Sequence, residues 1–455
     1  MLSPQKKSAA APDEQWLDPF FGEAGVAYQF SAGSDPLQIV SRRPDEKLLL
    51  AGGVYWEGHQ DFQLVQLLED GSRDPDFADD GILKGGFKVG SRASLHGAQL
   101  YKDGKILVIG THRDDIEYLA FARFLENGKP DYTFGDEGLV LNPYPTHLSN
   151  LAVSTRPHLS MTQPTSNTAI GPNGEIIMAG WMSIFRYDPD GKLDLSFNGS
   201  GSINVDFVIH AVGASADGAI TVVGSGSVGA SPQNEGIVAR FKADGTPDNS
   251  FGTNGITRIR IDEADTVFSG LLLREDGSTF VTGSLDRTPN DVWGNGRRGV
   301  LAAFNGNGWP NLVFNGGKAV VSELPSSAAN AWSDIGGDPA HGIVVVGLSG
   351  ARSRESTLIA RYEATGKLDI TFGDEGFLNT RFGKDYEFWK SVVVQPDQTL
   401  WERAGSLPQG NCSASTLADK KRHRLSCIKN APYRLIRGIS VFCLIGPLVA
   451  DHEAG

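Results

Sequence analysis

Leu368-Asp369-Ile370-Thr371-Phe372-Gly373-Asp374-Glu375-Gly376 recurs in recognisable form along almost the whole chain, and the rest of the sequence hangs between its copies. The anchor phenylalanines are Phe21, Phe77, Phe134, Phe197, Phe251, Phe314 and Phe372, from 54 to 63 residues apart. An acid or amide stands three residues before each of them, at Asp18, Asp74, Asp131, Asp194, Asp248, Asn311 and Asp369. Three residues earlier again comes a glycine, at Gly71, Gly128, Gly191, Gly245, Gly308 and Gly366. Another glycine follows the Phe by four residues in every copy except the sixth, where Lys318 comes after Gly316-Gly317. Spacing that is fixed here while the intervals elsewhere drift implies a fixed backbone turn, repeated as a structural unit.

Each interval reads as four short strands. One follows the motif, as in Gly25-Val26-Ala27-Tyr28-Gln29-Phe30, and two more form a hairpin about an Asp-Gly or Asn-Gly pair, as at Asp103-Gly104, Asn173-Gly174, Asp217-Gly218 and Asp276-Gly277. Asn-Gly and Asp-Gly favour such turns because both positions tolerate positive φ. A fourth strand, such as Leu119-Ala120-Phe121-Ala122-Arg123-Phe124, leads back to the motif. Four antiparallel strands in each of seven repeats predict an all-β, seven-bladed β-propeller; solenoid coils are far shorter than these intervals.

The pattern resembles the bacterial delta-60 repeat family, whose members carry tandem Leu-Asp-x-Ser-Phe-Gly-x-x-Gly motifs separated by such hairpins. Leu193-Asp194-Leu195-Ser196-Phe197 and Pro247-Asp248-Asn249-Ser250-Phe251-Gly252-Thr253-Asn254-Gly255 carry the resemblance closely, and it extends from about Leu17 to Gly405. It implies a β-propeller and no catalytic residues.

Chemistry explains the motif without a ligand. The acid is expected to accept hydrogen bonds from nearby turn amides, the glycines to supply left-handed backbone, and the Phe to bury between blades. Arg123, Arg186, Arg240 and Arg361 each lie eight residues before the motif acid, which suggests a charge partner. Ala303 replaces that Arg where Asn311 replaces the acid, but Gln66 replaces it where Asp74 remains.

Composition narrows the function classes. With 56 glycines and 23 prolines among 455 residues the chain suits short strands and turns, and 40% hydrophobic residues suffice for a core. A formal charge of −13 disfavours nucleic acid as a partner, since phosphate binding needs a basic face. The stretch Met1 to Trp16 has no apolar segment of signal-peptide type, so it reads as a disordered leader (1–16) and the expected residence is cytoplasmic. All three cysteines fall in the last 44 residues, with neither disulfide framework nor zinc spacing, and the nine histidines are scattered. Neither cofactor nor metal is expected. Two Gly-x-Gly-x-x-Gly matches, Gly224 to Gly229 and Gly294 to Gly299, precede predicted strands where a dinucleotide site needs a helix.

The propeller is expected over 17–405, followed by a divergent tail, 406–455. From Cys412 the tail has seven basic residues against three acids, which reads as a replaced terminus such as a shifted reading frame produces. Ile439 to Ala450 is apolar but too short to span a bilayer, which needs about 20 residues. The stretch Ile436 to Ile445 is expected either to fill the outer-strand position of the last blade or to remain loose.

Alternating strand direction puts the Asp-Gly hairpins and the motif turns on one face and the irregular loops on the other. Those loops run Tyr55 to Asp61, His112 to Glu117, Ser225 to Glu235, Leu285 to Arg298 and Ser349 to Glu355, with the Pro-rich insertion Asn142 to Asn167 beside them. Variable loops on a rigid scaffold are where binding resides, and Tyr55, Trp56, His59, Asp114, Trp181, Trp293, Arg297 and Arg298 are the candidates. The expected function is a monomeric, non-catalytic scaffold for a protein or surface glycan. The alternatives are a hydrolase or lyase with its site in the central funnel, and a lectin stacking sugars on Trp56, Trp181 or Trp293.

Overall fold

The computed structural model describes residues 20–21, 26–27, 39–43, 45–56, 59–88, 92–113, 116–143, 167–227, 233–288, 296–324, 329–338, 342–350, 356–380, 387–394, 433–436 and 439–445. The expected disorder of 1–16 lies outside them. Six four-stranded antiparallel sheets follow one another along the chain. Blade 1 comprises Ile39–Arg42, Leu48–Trp56, His59–Leu67 and Ile82–Gly85. Blade 2 runs from Arg92–Leu100 to Leu139–Pro143, blade 3 from Thr168–Ile170 to Ser202–Asn204, and blade 4 from Val208–Ala214 to Ile256–Ile259. Blade 5 runs from Asp265–Leu273 to Val320–Ser322, and blade 6 from Asn330–Asp338 to Phe377–Thr380. In each, chain order is spatial order, and the first strand is the innermost. Innermost strands of successive blades pack side by side, and Glu387–Val394 of the last sheet returns to Ile39–Arg42 of the first. The protein is an all-β propeller.

One boundary differs from the sequence reading. The strand after each motif pairs with the strand before it, as Ile82–Gly85 does with His59–Leu67, so the motif lies inside a blade as the link from third strand to outer strand. A repeat period is blind to this offset. The first motif, around Phe21, therefore precedes Val26–Ala27, which forms the outer edge of the last sheet rather than opening the first. That seventh sheet is composite, in the order Glu387–Val394, Ile439–Ile445, Tyr433–Ile436, Val26–Ala27. Ile439–Ile445 thus stands second from the axis and not at the expected outer position. The two tail strands occupy the middle places in the reverse of the order seen in the other sheets.

The motif turns join the blades by rule. Asp131 Oδ1 accepts from the Thr133 amide (3.1 Å) and hydroxyl (2.6 Å), and Asp194, Asp248 and Asp369 do the same with Ser196, Ser250 and Thr371. The expected arginine partners are present: the Nε atoms of Arg123, Arg186 and Arg361 donate to the other carboxylate oxygen at 2.8, 2.8 and 2.7 Å, and Arg240 is 3.1 Å from Asp248. The Arg123, Arg186 and Arg361 guanidiniums also lie 4.3 to 5.0 Å from the centre of the motif phenylalanine ring. The phenylalanines are buried, and Phe77, Phe134, Phe197, Phe251 and Phe314 each seat against the motif glycine of the next blade. A Cβ on Gly191 would stand 2.9 Å from Phe134 Cζ, and one on Gly366 would stand 2.9 Å from Phe314. With φ of +79° and +83°, both positions require glycine twice over.

The two repeats that break the Arg–Asp pairing are compensated in space. In blade 1 Gln66 donates to Asp74 (2.6 Å) and Lys47 Nζ supplies the charge at 3.0 Å. The arginines of blades 2, 3 and 4 also donate across to a carbonyl of the next blade, Arg123 to Pro189, Arg186 to Ala243 and Arg240 to Gly306. In blades 1 and 5 the hairpin provides that guanidinium, as Arg43 to Gly104 and Glu126 and as Arg274 to Gly342.

Candidate binding face

Antiparallel alternation puts the second-to-third-strand loops and the links between blades on the face opposite the motif turns. The sequence candidates on it are spread over several blades. Trp56 pairs directly with His59 across the blade 1 hairpin, and Tyr55 with Gln60. Asp114 and Trp293 lie outside the described residues. Arg297 and Arg298 open the third strand of blade 5, opposite Asp286 and Leu285. Trp181 forms the corresponding turn of blade 3, with blade 4 between it and the arginines.

Trp181 is the most unusual of these residues. Its φ is +46°, and its side chain is 37% exposed. The turn is held from the neighbouring blade by the Ile209 amide, which donates to the Trp181 carbonyl (2.7 Å), and from its own blade by the Val205 amide, which donates to the Met182 carbonyl (2.9 Å). A left-handed conformation costs a bulky side chain about 1–2 kcal/mol.

Beside this turn the innermost strand of blade 4 bulges between Ile209 and Ala211, leaving His210 as the extra residue. His210 Nε2 lies 3.1 Å from Ser225 Oγ, and burial lowers the imidazole pKa to about 4, so the ring is neutral at physiological pH. The bulge recurs at matching places in blades 2, 5 and 6, where His96, Ser269 and Ser333 are the extra residues. In blades 4, 5 and 6 it stands opposite a second-strand glycine, whereas the matching bulge of the seventh sheet stands opposite Cys443. A Cβ on Gly224, Gly283 or Gly347 would collide with the carbonyl of Val208, Val267 or Ala331. Bulges of this kind re-aim side chains near the rims of β-structures. The sequence signal was available but unread: a glycine ends the apolar core of the second strand at Gly110, Gly180, Gly224, Gly283 and Gly347.

Charged residues rim blades 4 and 5. Arg258 pairs with Asp206 (3.1 Å), Arg260 with Glu235 (3.1 Å) and Glu263 (3.4 Å), and Arg287 with Asp262 (2.9 Å) and Glu323 (3.1 Å). Arg298 Nε donates to Glu323 at 2.8 Å. Burial opposes ionisation of Glu323, but its bonds from Arg298 and Arg287 outweigh this and lower its pKa. Arg298 is therefore engaged in an ion-pair ladder, whose solvent-facing pairs contribute at most about 1 kcal/mol each. Gly224 to Ser227 of the first Gly-x-Gly-x-x-Gly match lies in the second strand of blade 4, with no helix to receive a phosphate. Among the described residues, no three His, Cys, Asp or Glu side chains are grouped to hold a metal, and no helix is long and apolar enough to cross a membrane.

A family described as "Domain of unknown function (DUF5122) beta-propeller" matches residues 43–77, 102–134, 171–197 and 215–251. Each match begins at or near a hairpin and ends on Phe77, Phe134, Phe197 or Phe251, so the unit recognised is hairpin to motif in blades 1 to 4. This supports a β-propeller repeat family. No curated protein matches the sequence. Among solved structures, the chain is similar to a PQQ-bound aldose sugar dehydrogenase from Streptomyces coelicolor, at 13% identity over 78% of this chain and 95% of that one, with TM-score 0.37. It is similar also to the β-propeller domain of the trilobed protease from Pyrococcus furiosus, at 6% identity over 81% and 88%, with TM-score 0.38. Drosophila semaphorin 2a aligns at 9% identity over 82% and 72%, with TM-score 0.41. Likenesses at this level carry no argument about ligands.

Proposed function

We propose that the protein is a non-catalytic propeller scaffold of the delta-60 repeat type, binding a protein or surface glycan through its irregular-loop face. The observation that carries this reading is Trp181, a partly exposed indole kept in a left-handed turn by the adjacent blade. Strain retained on a surface side chain points to function more than to packing. The ring offers a flat apolar platform of the kind that sugars and protein side chains stack upon.

The decisive variant is Trp181→Gly, which removes the indole and relieves the backbone. It should remain folded, with a cooperative thermal melt, while losing ligand on a printed glycan array or in a cross-linking pull-down. Equal capture by both proteins would overturn the reading. The catalytic alternative is favoured by one feature, the His210–Ser225 hydrogen bond. Ser225 is buried, however, and among the described residues no carboxylate is bonded to His210, so the pair lacks the third group that orients a catalytic base.

A further inference from the structure

Trp181 does not stand alone at its turn. With Met182 it forms the tip between Ile176–Gly180 and Ser183–Tyr187, the second and third strands of blade 3. The link to blade 4, Asn204 to Val208, runs alongside this tip, because the Val205 amide bonds to Met182 and the Ile209 amide to Trp181. Burial alternates along the link: Ile203 and Phe207 are buried, while Asn204 and Asp206 are exposed. Two polar residues thus flank Val205, the residue bonded to the tip.

Both polar side chains are held in place with hydrogen-bonding capacity to spare. Asn204 Oδ1 accepts from the Ser183 hydroxyl (2.7 Å), which leaves Nδ2 with no partner among the described residues. The Asp206 carboxylate receives Arg258 Nη2 on both oxygens (3.1 and 3.3 Å), yet its side chain is 78% exposed, so each oxygen can accept again. Space beside the indole is open, since a Cβ on Gly180 would meet no atom within 4 Å.

These surroundings favour one class of ligand. Within blades 3 and 4, Trp181 is the only large apolar side chain exposed on this face among the described residues. A protein partner needs a contiguous apolar centre ringed by polar groups. A sugar ring needs less: one aromatic plane for its C–H face, and a few polar groups for hydroxyls that both donate and accept. We infer, building on the loop-face binding site, that the Trp181 platform takes a neutral sugar ring, with Asp206 accepting from its hydroxyls and Asn204 donating to them. Acidic sugars are disfavoured, because Asp206 is exposed and the chain carries a net charge of −13.

A printed array tests this, carrying neutral hexose and N-acetylhexosamine glycans beside sialylated and uronic-acid ones, followed by titration calorimetry with the tightest neutral binder. The wild type should bind neutral glycans in preference to acidic ones. Trp181→Gly should abolish that binding, and Asp206→Ala should raise Kd about 10-fold or more through loss of a hydrogen bond to a charged group. Asp206→Ala should melt within about 3 °C of the wild type, since its ion pair faces solvent. Glu263→Ala, a similarly exposed acid on the link from blade 4 to blade 5, should leave Kd within about 3-fold of the wild type. A preference for acidic glycans overturns the inference, as does an Asp206→Ala variant that binds within about 3-fold of the wild type. So does a wild type that binds no glycan. If that wild type nevertheless cross-links to a protein and Trp181→Gly does not, the loop-face site survives and only its ligand class is wrong. If Trp181→Gly changes neither readout, the site fails as well.

Discussion

The motif turns of blades 2 and 5 follow one backbone path as far as the phenylalanine, with different side chains, and then part: Gly138 closes on the Phe134 carbonyl with φ +90°, while in blade 5 Gly317 closes on Phe314 and Lys318 is extended. In both, the amide at the acid position bonds to the third strand (Asp131 to Arg123, Asn311 to Ala303, each 2.9 Å), and the Phe amide bonds back to that residue's carbonyl at 3.0 Å. Blade 2 then adds an ion pair, while blade 5 has neither charge. What the turn requires is therefore a short acceptor side chain, a buried Phe and a left-handed glycine. The arginine serves the junction between blades, and it can arrive from more than one place.

The comparison is tested most severely at the phenylalanine. Phe134→Ala and Phe314→Ala should each cost about 3–5 kcal/mol in urea or thermal unfolding, because both rings are buried against a neighbouring blade that cannot relax into the space. Similar losses would confirm that the ring serves the two blades alike. A loss under about 1 kcal/mol at Phe314 would mean that blade 5 relies on something else.

The ion pair should give a smaller effect that depends on pH. Burial of Asp131 opposes its charge, but the Thr133 hydroxyl and amide and the Arg123 guanidinium outweigh this and hold its pKa down to about 2. A carboxyl lowered in the folded state stabilises the fold above its ordinary value of about 4, and the contribution is lost as pH falls through the folded value. Asp131→Asn should thus cost about 1–2 kcal/mol at neutral pH and flatten the stability profile between about pH 4 and 2. Asn311→Asp creates no such benefit unless an arginine is supplied with it. Asp74, Asp194, Asp248 and Asp369 have lowered values as well, so the profile should flatten without vanishing.

Much of this was legible in sequence, because a turn that builds a scaffold must recur at fixed spacing. The Asp, Phe and Gly roles, the hairpins and the Arg–Asp register all follow from local chemistry. Linear spacing does not show which strand a motif closes, so the blades were phased one strand early and Val26–Ala27 was placed in the wrong blade. It does not show substitution through space either: Gln66 and Ala303 look like failures of the rule until Lys47, Arg43 and Arg274 are found nearby. On the opposite face, Trp181 was legible as a loop aromatic, but its left-handed backbone was not. Arg298 was legible as a loop-face candidate, but its ion pair was not, because its partner Glu323 lies beyond the next strand, 25 residues on.

That compensation can be tested by moving it. The Arg274 guanidinium lies 4.5 Å from the centre of the Phe280 ring, which meets Phe314 edge-on at 5.7 Å, and it donates to Gly342 of blade 6 at 3.3 Å. In blade 2 the same junction is served from the third strand by Arg123, and Tyr101 occupies the hairpin position that Arg274 fills in blade 5. Arg274→Ser should therefore cost about 1–2 kcal/mol through loss of one charge-assisted bond to a carbonyl. Adding Ala303→Arg and Asn311→Asp to that variant rebuilds the blade 2 arrangement and should recover most of the loss. Ala303→Arg with Arg274 retained should instead destabilise by about 1 kcal/mol, since two guanidiniums then compete for one site. If the triple variant melts with Arg274→Ser alone, the hairpin arginine has a role of its own, and the equivalence of the two blades fails at the junction while holding within the turn.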